Sequence, residues 1–243
     1  MYPKKLLAVG GATLMLAALP AAAGATNVTV RVEGHNKALL APRTVHVRSG
    51  WITRYGAPRG KCPASSAQGA LDAATSHRWR GTWTTQFGPE YEVTSILGET
   101  HSFSSKYYWE IFTNNVAATA GGCEIKLHRG ETLLFAAVPQ SVVTQYPLGV
   151  SVPSRVIAGR PFDVKVVYYN AKGKARPLAN AKVTLGGISA EPVPHGGVTA
   201  KTNAKGIARV TESHAGLMDV TASKAGSSKV GYIRAAPVVR DVS

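Results

Sequence analysis

Cysteine is the scarcest reactive residue in this 243-residue chain, which contains only Cys62 and Cys123. An even count in a chain that carries an export leader is typical of one disulfide. We predict a bond between these two residues, with two free thiols as the alternative. The bond would remove the strongest nucleophile of the chain and its only soft metal ligands.

Long apolar runs are missing after residue 25, and the one before it is short. Lys4 and Lys5 precede an apolar stretch over Leu6–Leu19, and small residues follow up to Ala25. This is the plan of a secretory signal peptide, with cleavage after Ala23 or Ala25. A retained anchor is the alternative, but a spanning helix needs roughly 20 apolar residues. We therefore predict a signal peptide over residues 1–25 and a secreted or cell-surface bacterial protein with no transmembrane segment after cleavage.

Acidic residues are also few, since 13 stand against 28 lysines and arginines for a net charge of +15. The excess is larger in residues 145–243, with 14 basic and 5 acidic residues, than in residues 26–144, with 12 and 8. A basic excess favours weak attraction to polyanions, although it also serves solubility alone. No dense basic run with interleaved aromatics is present, so we predict no specific nucleic-acid binding.

Tryptophan is absent from the second half of the chain. All four tryptophans and both cysteines precede residue 124, and a Val-rich stretch with Gly, Pro and Asn follows. This shift in composition predicts two domains, over residues 26–144 and 145–243.

The first half has strand patterns on both sides of one helical segment. Val28, Val30 and Val32 alternate with polar residues, which predicts a strand with one buried and one wet face. The spacing of apolar residues predicts a helix over residues 66–77. Strands are predicted over residues 107–113, 123–127 and 132–138. A tight turn is predicted at Asn114 and Asn115, directly after the first of these strands. This order predicts an α+β sheet with a helix across one face.

Several segments of the first half, taken in order, carry a family likeness. They are Val28–Gly34, Cys62 with Gly69–Leu71, Val93–Glu99, Tyr108–Trp109, Gly121–Glu124 and Gly130–Phe135. Together they resemble an uncharacterised secreted family related to the C-terminal domain of transcobalamin and intrinsic factor, over about residues 26–139. Asn114-Asn115 and Gly130-Glu131 replace the Asn-Gly and Gly-Asp that are usual in that family.

This resemblance implies a β-grasp fold and suggests a corrinoid ligand. In that family the ligand is held between this kind of domain and a large helical barrel. The present sequence contains no such barrel, so half of the binding site is missing. We predict no cofactor and keep cobalamin only as an alternative.

The second half is similar to bacterial immunoglobulin-like and carboxypeptidase-regulatory-like modules. Pro161–Tyr169, Leu178–Leu185 and Thr202–Val210 carry the likeness as short strands separated by turn residues. The pattern predicts an all-β immunoglobulin-like sandwich.

Motifs that carry chemistry are missing. The sequence has no His-Glu-x-x-His, nucleophile elbow or phosphate loop, and its seven histidines are scattered. We predict no enzymatic activity, no catalytic residues and no metal site. Two weaker alternatives stay open: a hydrolase that uses Glu90, Glu92 or Glu99 as its acid, and a metal held by Glu99, His101 and Glu110.

Aromatic residues are dense only around the strand predicted over residues 107–113. The candidate ligand surface there consists of His101, Phe103, Tyr107, Tyr108, Trp109, Asn114 and Asn115. Rigid aromatic side chains with polar tips are frequent in ligand and partner sites, although alternate aromatics on a strand also fill cores. Tyr107 and Trp109 share one face and Tyr108 takes the other.

These observations favour an exported, non-enzymatic protein that binds a ligand or partner at the bacterial cell surface. A secreted hydrolase that acts on cell-wall or glycan material is the alternative from another class. A purely structural surface spacer is a third hypothesis.

Overall fold

A computed structural model describes residues 26–53, 60–86, 88–187 and 197–243 of the chain. The predicted signal peptide over residues 1–25 lies outside these described residues. Strands make up 53% of the described residues and helix 4%, so the described fold is nearly all-β, and the α+β class predicted for the first half is wrong. The β-grasp fold expected for the first half is an α+β fold, so that expectation is wrong as well.

The described part of the first half contains the helix α1 (Ala67–Ala74) and ten strands. In chain order the strands are β1 (Thr26–Glu33), β2 (Ala38–Val47), β3 (Trp51–Ile52), β4 (Cys62–Pro63), β5 (Trp79–Thr84), β6 (Glu90–Ile96), β7 (Glu99–Thr100), β8 (Tyr107–Thr113), β9 (Val116–Ala117) and β10 (Thr132–Pro139).

Five of these strands form the main sheet in the order β2-β1-β10-β8-β9. β1 and β10 pair in parallel at its centre, with Thr29 opposite Thr132, and the other neighbours are antiparallel. The alternating valines of β1 are buried on one face, as the sequence predicted. The opposite face was predicted to be wet, which is wrong: Arg31 and Glu33 are 9% and 2% exposed. The main sheet is therefore covered on both faces along β1.

Helix α1 packs on the valine face of the main sheet and is shorter than the predicted span of residues 66–77. Ser66 caps it, because its Oγ accepts a hydrogen bond from the N–H of Gly69 at 3.3 Å. The helix stops at Ala74 because Ser76 and His77 have φ values of 51° and 65°. This left-handed backbone cannot continue a right-handed helix.

The Cys62–Cys123 disulfide is confirmed, with Cα atoms 5.1 Å apart. Both cysteines are buried in the core that also contains α1 and the valines of β1. Cys123 lies in a turn in which the N–H of Glu124 donates to the carbonyl oxygen of Gly121 at 2.9 Å, so the strand predicted over residues 123–127 is wrong. The bond closes a segment of 61 residues that contains α1 and β5 to β9.

Strands β5, β6 and β7 form a separate antiparallel sheet on the same core. Trp79 and Tyr91 point inward, and their rings meet edge to face at 5.5 Å. Glu90 and Glu92 flank Tyr91 in the strand and therefore lie on its other face. Strand β6 adjoins β8 of the main sheet.

The second half is described as nine strands. They are β11 (Thr144–Ser151), β12 (Pro161–Tyr169), β13 (Ala175–Pro177), β14 (Lys182–Gly187), β15 (Thr199–Lys201), β16 (Ile207–Thr211), β17 (Gly216–Ser223), β18 (Val230–Ile233) and β19 (Val238–Val242).

These strands form two sheets that enclose one apolar core. The first has the order β13-β12-β11-β18, with β16 also paired to β12, and the second has the order β15-β14-β17-β19. Val164, Val183 and Val220 come from three different strands and are fully buried between the sheets. This two-layer packing is the architecture that the immunoglobulin-like prediction requires.

A third, smaller apolar cluster joins the two halves. It consists of Phe112, Leu134, Ala136 and Val138 from the first half and Ile233 from the second. The proposed division at residues 144 and 145 stays a prediction, since the described halves have separate main cores but share this cluster.

A buried ion network lies beside the shared cluster. Glu33 Oε1 accepts a hydrogen bond from Arg31 Nη1 at 3.0 Å, and Glu33 Oε2 accepts one from Arg234 Nε at 3.2 Å. Arg31 also donates to the carbonyl oxygen of Arg234 at 3.1 Å. Because Arg234 lies in the second half, these contacts fix the two halves against each other.

No helix among the described residues has the length and apolar character needed to cross a membrane.

Candidate functional site

Strand β8 distributes the predicted aromatic residues over two sides of the main sheet. Trp109 is 7% exposed and belongs to the core beneath α1. Tyr108 lies on the opposite face, where its ring stacks on that of Phe103 at 5.2 Å with an interplanar angle of 27°. Phe103 is 57% exposed, so this pair presents an aromatic surface to solvent. Trp109 therefore serves the core, and Phe103 and Tyr108 are available to a ligand.

A second aromatic group contains His101 and Tyr107. Tyr107 lies 4.0 Å from the ring of His35, and His101 lies 5.2 Å from the ring of Trp109. Glu99 Oε1 accepts a hydrogen bond from the backbone N–H of His35 at 2.6 Å and contacts His101 Nε2 at 2.7 Å. Burial acts to raise the pKa of Glu99, but the hydrogen bonds from His101 and His35 outweigh it and lower that pKa. His101 is thus held in place by a carboxylate.

The two asparagines of the predicted surface lie at the other end of β8. Asn114 and Asn115 have φ values of 50° and 66°, as a tight turn between β8 and β9 requires. Asn114 Oδ1 accepts a hydrogen bond from the backbone N–H of Thr132 at 3.0 Å. The structure therefore separates these asparagines from the aromatic pair and gives Asn114 a role in the turn.

A cleft of about 440 Å³ opens between the outer face of β6 and β8. Its lining contains the Phe103 and Tyr108 rings and four carboxylates: Glu90, Glu92, Glu110 and Glu124. Volumes of roughly 300–1,000 Å³ are usual for small-molecule sites. The cleft collects four of the 13 acidic residues of a chain whose net charge is +15.

Two glycines allow two of these carboxylates to lie directly on the backbone. A Cβ at Gly121 would come within 1.8 Å of Glu90 Oε2, and a Cβ at Gly88 within 2.4 Å of Glu124 Oε1. Any side chain at either glycine would displace the carboxylate. Glu92 is fixed more loosely, since its Oε1 accepts a hydrogen bond from the backbone N–H of Phe103 at 3.4 Å.

Burial changes the acidity of the cleft. It raises the pKa of Glu110 to about 7. The pKa of Glu90 is also raised, first by burial and then by the negative charges of Glu124 and Glu92. Glu110 Oε2 is buried without a hydrogen-bond partner in the described part of the chain. Near neutral pH the cleft therefore contains a carboxyl group that is poised between its two protonation states.

The raised pKa of Glu110 gives a direct prediction. Folding raises this pKa from its ordinary value of 4.5 to about 7, so the folded protein binds the proton more tightly than the unfolded chain. The resulting stabilisation is fully present below the unfolded pKa and is lost as the pH rises through the folded pKa. We expect carboxyl NMR to give a midpoint near 7 for Glu110.

The matched variant for this prediction is Glu110→Gln, which keeps the shape of the side chain. The melting temperature of the wild type should fall between about pH 5 and 7 as Glu110 loses its proton. In Glu110→Gln we expect this contribution to the fall to be absent. A wild-type midpoint below 5 would contradict the assignment.

Sequence reasoning found some of these cleft residues and missed others. Phe103 and Tyr108 belonged to the predicted surface, and Glu90 and Glu92 to the hydrolase alternative. Glu99 does not line the cleft. Glu110 was considered only as a metal ligand and Glu124 not at all, because their approach to β6 depends on long-range packing that no local pattern encodes.

No group of three or more His, Cys, Asp or Glu side chains is placed to hold a metal ion within the described ranges. Glu99 and His101 are in contact, whereas Glu110 lines the cleft.

A comparison with known protein families finds no match for the chain, and no curated protein matches it. Among solved structures, the chain is similar to a candidate metal-binding protein of Ruminococcus gnavus. The two are 12% identical, and the match covers 47% of this chain and 97% of that one with a TM-score of 0.34. A likeness of this size carries no argument about fold or function.

Proposed function

We propose that the chain is an exported, non-enzymatic binding protein of the bacterial cell surface, and that the cleft between β6 and β8 binds a cationic ligand with an apolar part. The observation that carries this proposal is the combination of the exposed Phe103–Tyr108 pair with four carboxylates in one cleft. Aromatic faces attract cations, and carboxylates near them add to that attraction.

The charge distribution supports a cation as the ligand. In a basic chain, long-range electrostatics repel cations, so local negative charge is needed to bind one. The cleft supplies that charge at Glu90, Glu92 and Glu124, with Glu110 adding to it as the pH rises through about 7. Binding of a cation should therefore strengthen with pH.

Export is supported by two observations of different kinds. The leader pattern comes from the sequence, and the Cys62–Cys123 disulfide comes from the structure. Structural disulfides persist in oxidising compartments and are rare in the cytosol of mesophiles.

A titration with benzyltrimethylammonium tests the proposal, because this probe combines a fixed positive charge with an apolar ring. We expect saturable NMR shifts at Tyr108 and in β6, and none with the neutral benzyl alcohol. Glu90→Gln should weaken binding about two- to fivefold, as expected for a partly exposed ion pair of ~0.4–1 kcal/mol.

The control variant Asp241→Asn makes the same charge change at an exposed position of β19, outside the cleft. It should leave the affinity unchanged. Equal weakening by both variants, or equal shifts with the neutral probe, would refute the assignment of the cleft.

One observation favours a second candidate, the secreted hydrolase. A carboxyl with a pKa of about 7 beside other carboxyl groups is an arrangement by which glycan-cleaving enzymes separate an acid from a base or nucleophile. In this candidate Glu110 would donate the proton and Glu90 or Glu92 would act as the second carboxylate. Release of reducing ends from cell-wall glycan by the wild type, and its loss in Glu110→Gln, would replace the binding proposal with this one.

A further inference from the structure

A second cleft, of about 490 Å³, lies where the two halves of the chain meet. The first half contributes His35 and Tyr107, and the second contributes Gln145, Lys224, Tyr232 and Arg234. Ligand sites are frequent at such junctions because two separately folded surfaces enclose the space between them. This cleft shares no lining residue with the acidic cleft between β6 and β8.

The charge of this cleft is opposite in sign to that of the first. Its one lining carboxylate, Glu33, is bound by Arg31 and Arg234 at 3.0–3.2 Å. The ammonium group of Lys224 lies 5.3 Å from the centre of the Tyr232 ring and donates to the carbonyl oxygen of Ala179 at 2.8 Å. No carboxylate contacts Lys224 among the described residues, so the cleft has a surplus of positive charge.

A residue that lines the same cleft carries a buried hydrogen-bond donor. Gln145 Nε2 has no hydrogen-bond partner in the parts of the chain that the structure describes. An amide N–H that is buried without a partner costs free energy, about 1–3 kcal/mol in proteins. Gly231 allows the side chain to lie there, because a Cβ at Gly231 would come within 2.0 Å of Gln145 Oε1. Gln145 thus lines the cleft with a buried amide donor that has no acceptor among the described residues.

Two partly exposed rings complete the lining. Tyr107 is supported by His35 at a centroid distance of 4.0 Å. Tyr232 is supported by Tyr168 and Tyr146 at 6.2 and 6.5 Å. These contacts fix the rings before a ligand arrives, which lowers the entropic cost of binding.

We propose that the cleft between the halves binds an acidic saccharide. A sugar ring supplies a flat apolar face for Tyr107 or Tyr232 and hydroxyl oxygens that accept the hydrogen bond of Gln145. A carboxylate on the sugar pairs with Lys224 in a charge-assisted contact. The basic excess of the chain adds a weaker and unspecific attraction to the same class of ligand.

Calorimetric titration of the mature chain with a hyaluronan tetrasaccharide, which alternates uronic acid and amino sugar, tests this proposal. The neutral chitotetraose is the matched probe without charge. We expect saturable binding of the acidic tetrasaccharide and at least about tenfold weaker binding of the neutral one. The reason is that a hydrogen bond between charged groups is stronger than one between neutral groups.

Two lysine variants separate the cleft from general attraction to polyanions. Lys224→Met removes the cleft charge, and Lys229→Met makes the same change at an exposed lysine that does not line the cleft. We expect Lys224→Met to weaken binding at least about fivefold and Lys229→Met less than about twofold. Equal effects of the two variants overturn the proposal.

Gln145→Leu keeps a similar volume and removes the buried amide. A merely structural role predicts an unchanged or higher melting temperature with unchanged affinity, because a costly polar group has been removed. Our proposal predicts an unchanged or higher melting temperature together with a loss of affinity. Unchanged affinity in this folded variant, no binding by the wild type, or equal competition by an oligoglutamate peptide overturns it.

Discussion

Replacement of both cysteines, Cys62→Ala with Cys123→Ala, is expected to lower the free energy of unfolding by about 4 kcal/mol. The bond closes a segment of 61 residues. In the chain-entropy model, removal of the bond increases the conformational entropy of the unfolded chain, which accounts for about 4 kcal/mol of stability. Urea unfolding of the oxidised wild type and the double variant measures the difference. Since stabilities of single domains are about 5–15 kcal/mol, this loss is a large share of the total.

Two comparisons control this experiment. The wild type treated with dithiothreitol should unfold at the same urea concentration as the double variant, because both lack the covalent closure. The second half contains no cysteine, so its core should unfold as in the wild type wherever the two transitions are resolved. A difference below about 1 kcal/mol would show that the closure contributes little.

Glu33→Ala is expected to lower the free energy of unfolding by about 3–5 kcal/mol, the second large effect. Glu33 is 3% exposed in its side chain and is bound by Arg31, which is 10% exposed, and by Arg234. Removal of one partner from a buried ion network leaves an uncompensated buried charge. Burial already raises the pKa of Glu33 even though both arginines act to lower it, so desolvation is the dominant effect at this site.

The matched control for this variant is the exposed pair Arg209–Asp163, whose side chains are 69% and 52% exposed at 3.4 Å. Asp163→Ala should change the stability by less than about 1 kcal/mol, because water screens exposed pairs.

The simultaneous replacement Arg31→Met, Glu33→Leu and Arg234→Met should be nearly neutral or stabilising, since an apolar cluster of similar volume removes the desolvation cost. If the triple variant is as unstable as Glu33→Ala, then buried charge is not the cause of the loss.

Local patterns predicted some elements correctly. Strand β8 was predicted at Tyr107–Thr113 and occupies these residues, because aromatic and β-branched residues precede an Asn-Asn turn with positive φ. The disulfide was predicted from the even cysteine count together with the export leader, and there were only two cysteines to pair.

Other features of the fold depend on contacts that no local pattern encodes. The helix was predicted too long because the left-handed backbone at Ser76 and His77 follows from neither residue type. Arg31 and Glu33 were expected in water because alternation along β1 gives no sign of a partner 201 residues away at Arg234. The α+β fold class was predicted wrongly because the described part of the chain contains one helix of eight residues and nineteen strands.

In the candidate site, too, some residues could be predicted from local patterns and others depend on long-range contacts. Phe103 and Tyr108 could be found from aromatic density, and Glu90 and Glu92 were named as candidate acids of a hydrolase. Their meeting with Glu110 and Glu124 results from the placement of β6 beside β8 and from Gly121 and Gly88, which allow close approach. The opposite charges of the two clefts cannot be read from a net charge that is positive in both halves.

The parallel pairing of β1 with β10 has a consequence for the time course of folding. Thr29 and Thr132 are neighbours in space but lie about a hundred residues apart in the chain, and β8 pairs with the other side of β10. High contact order of this kind slows folding, because a long loop must close before the contact forms. The central sheet can therefore be completed only after synthesis has passed residue 139, so β1 waits for its parallel partner while most of this half is being made.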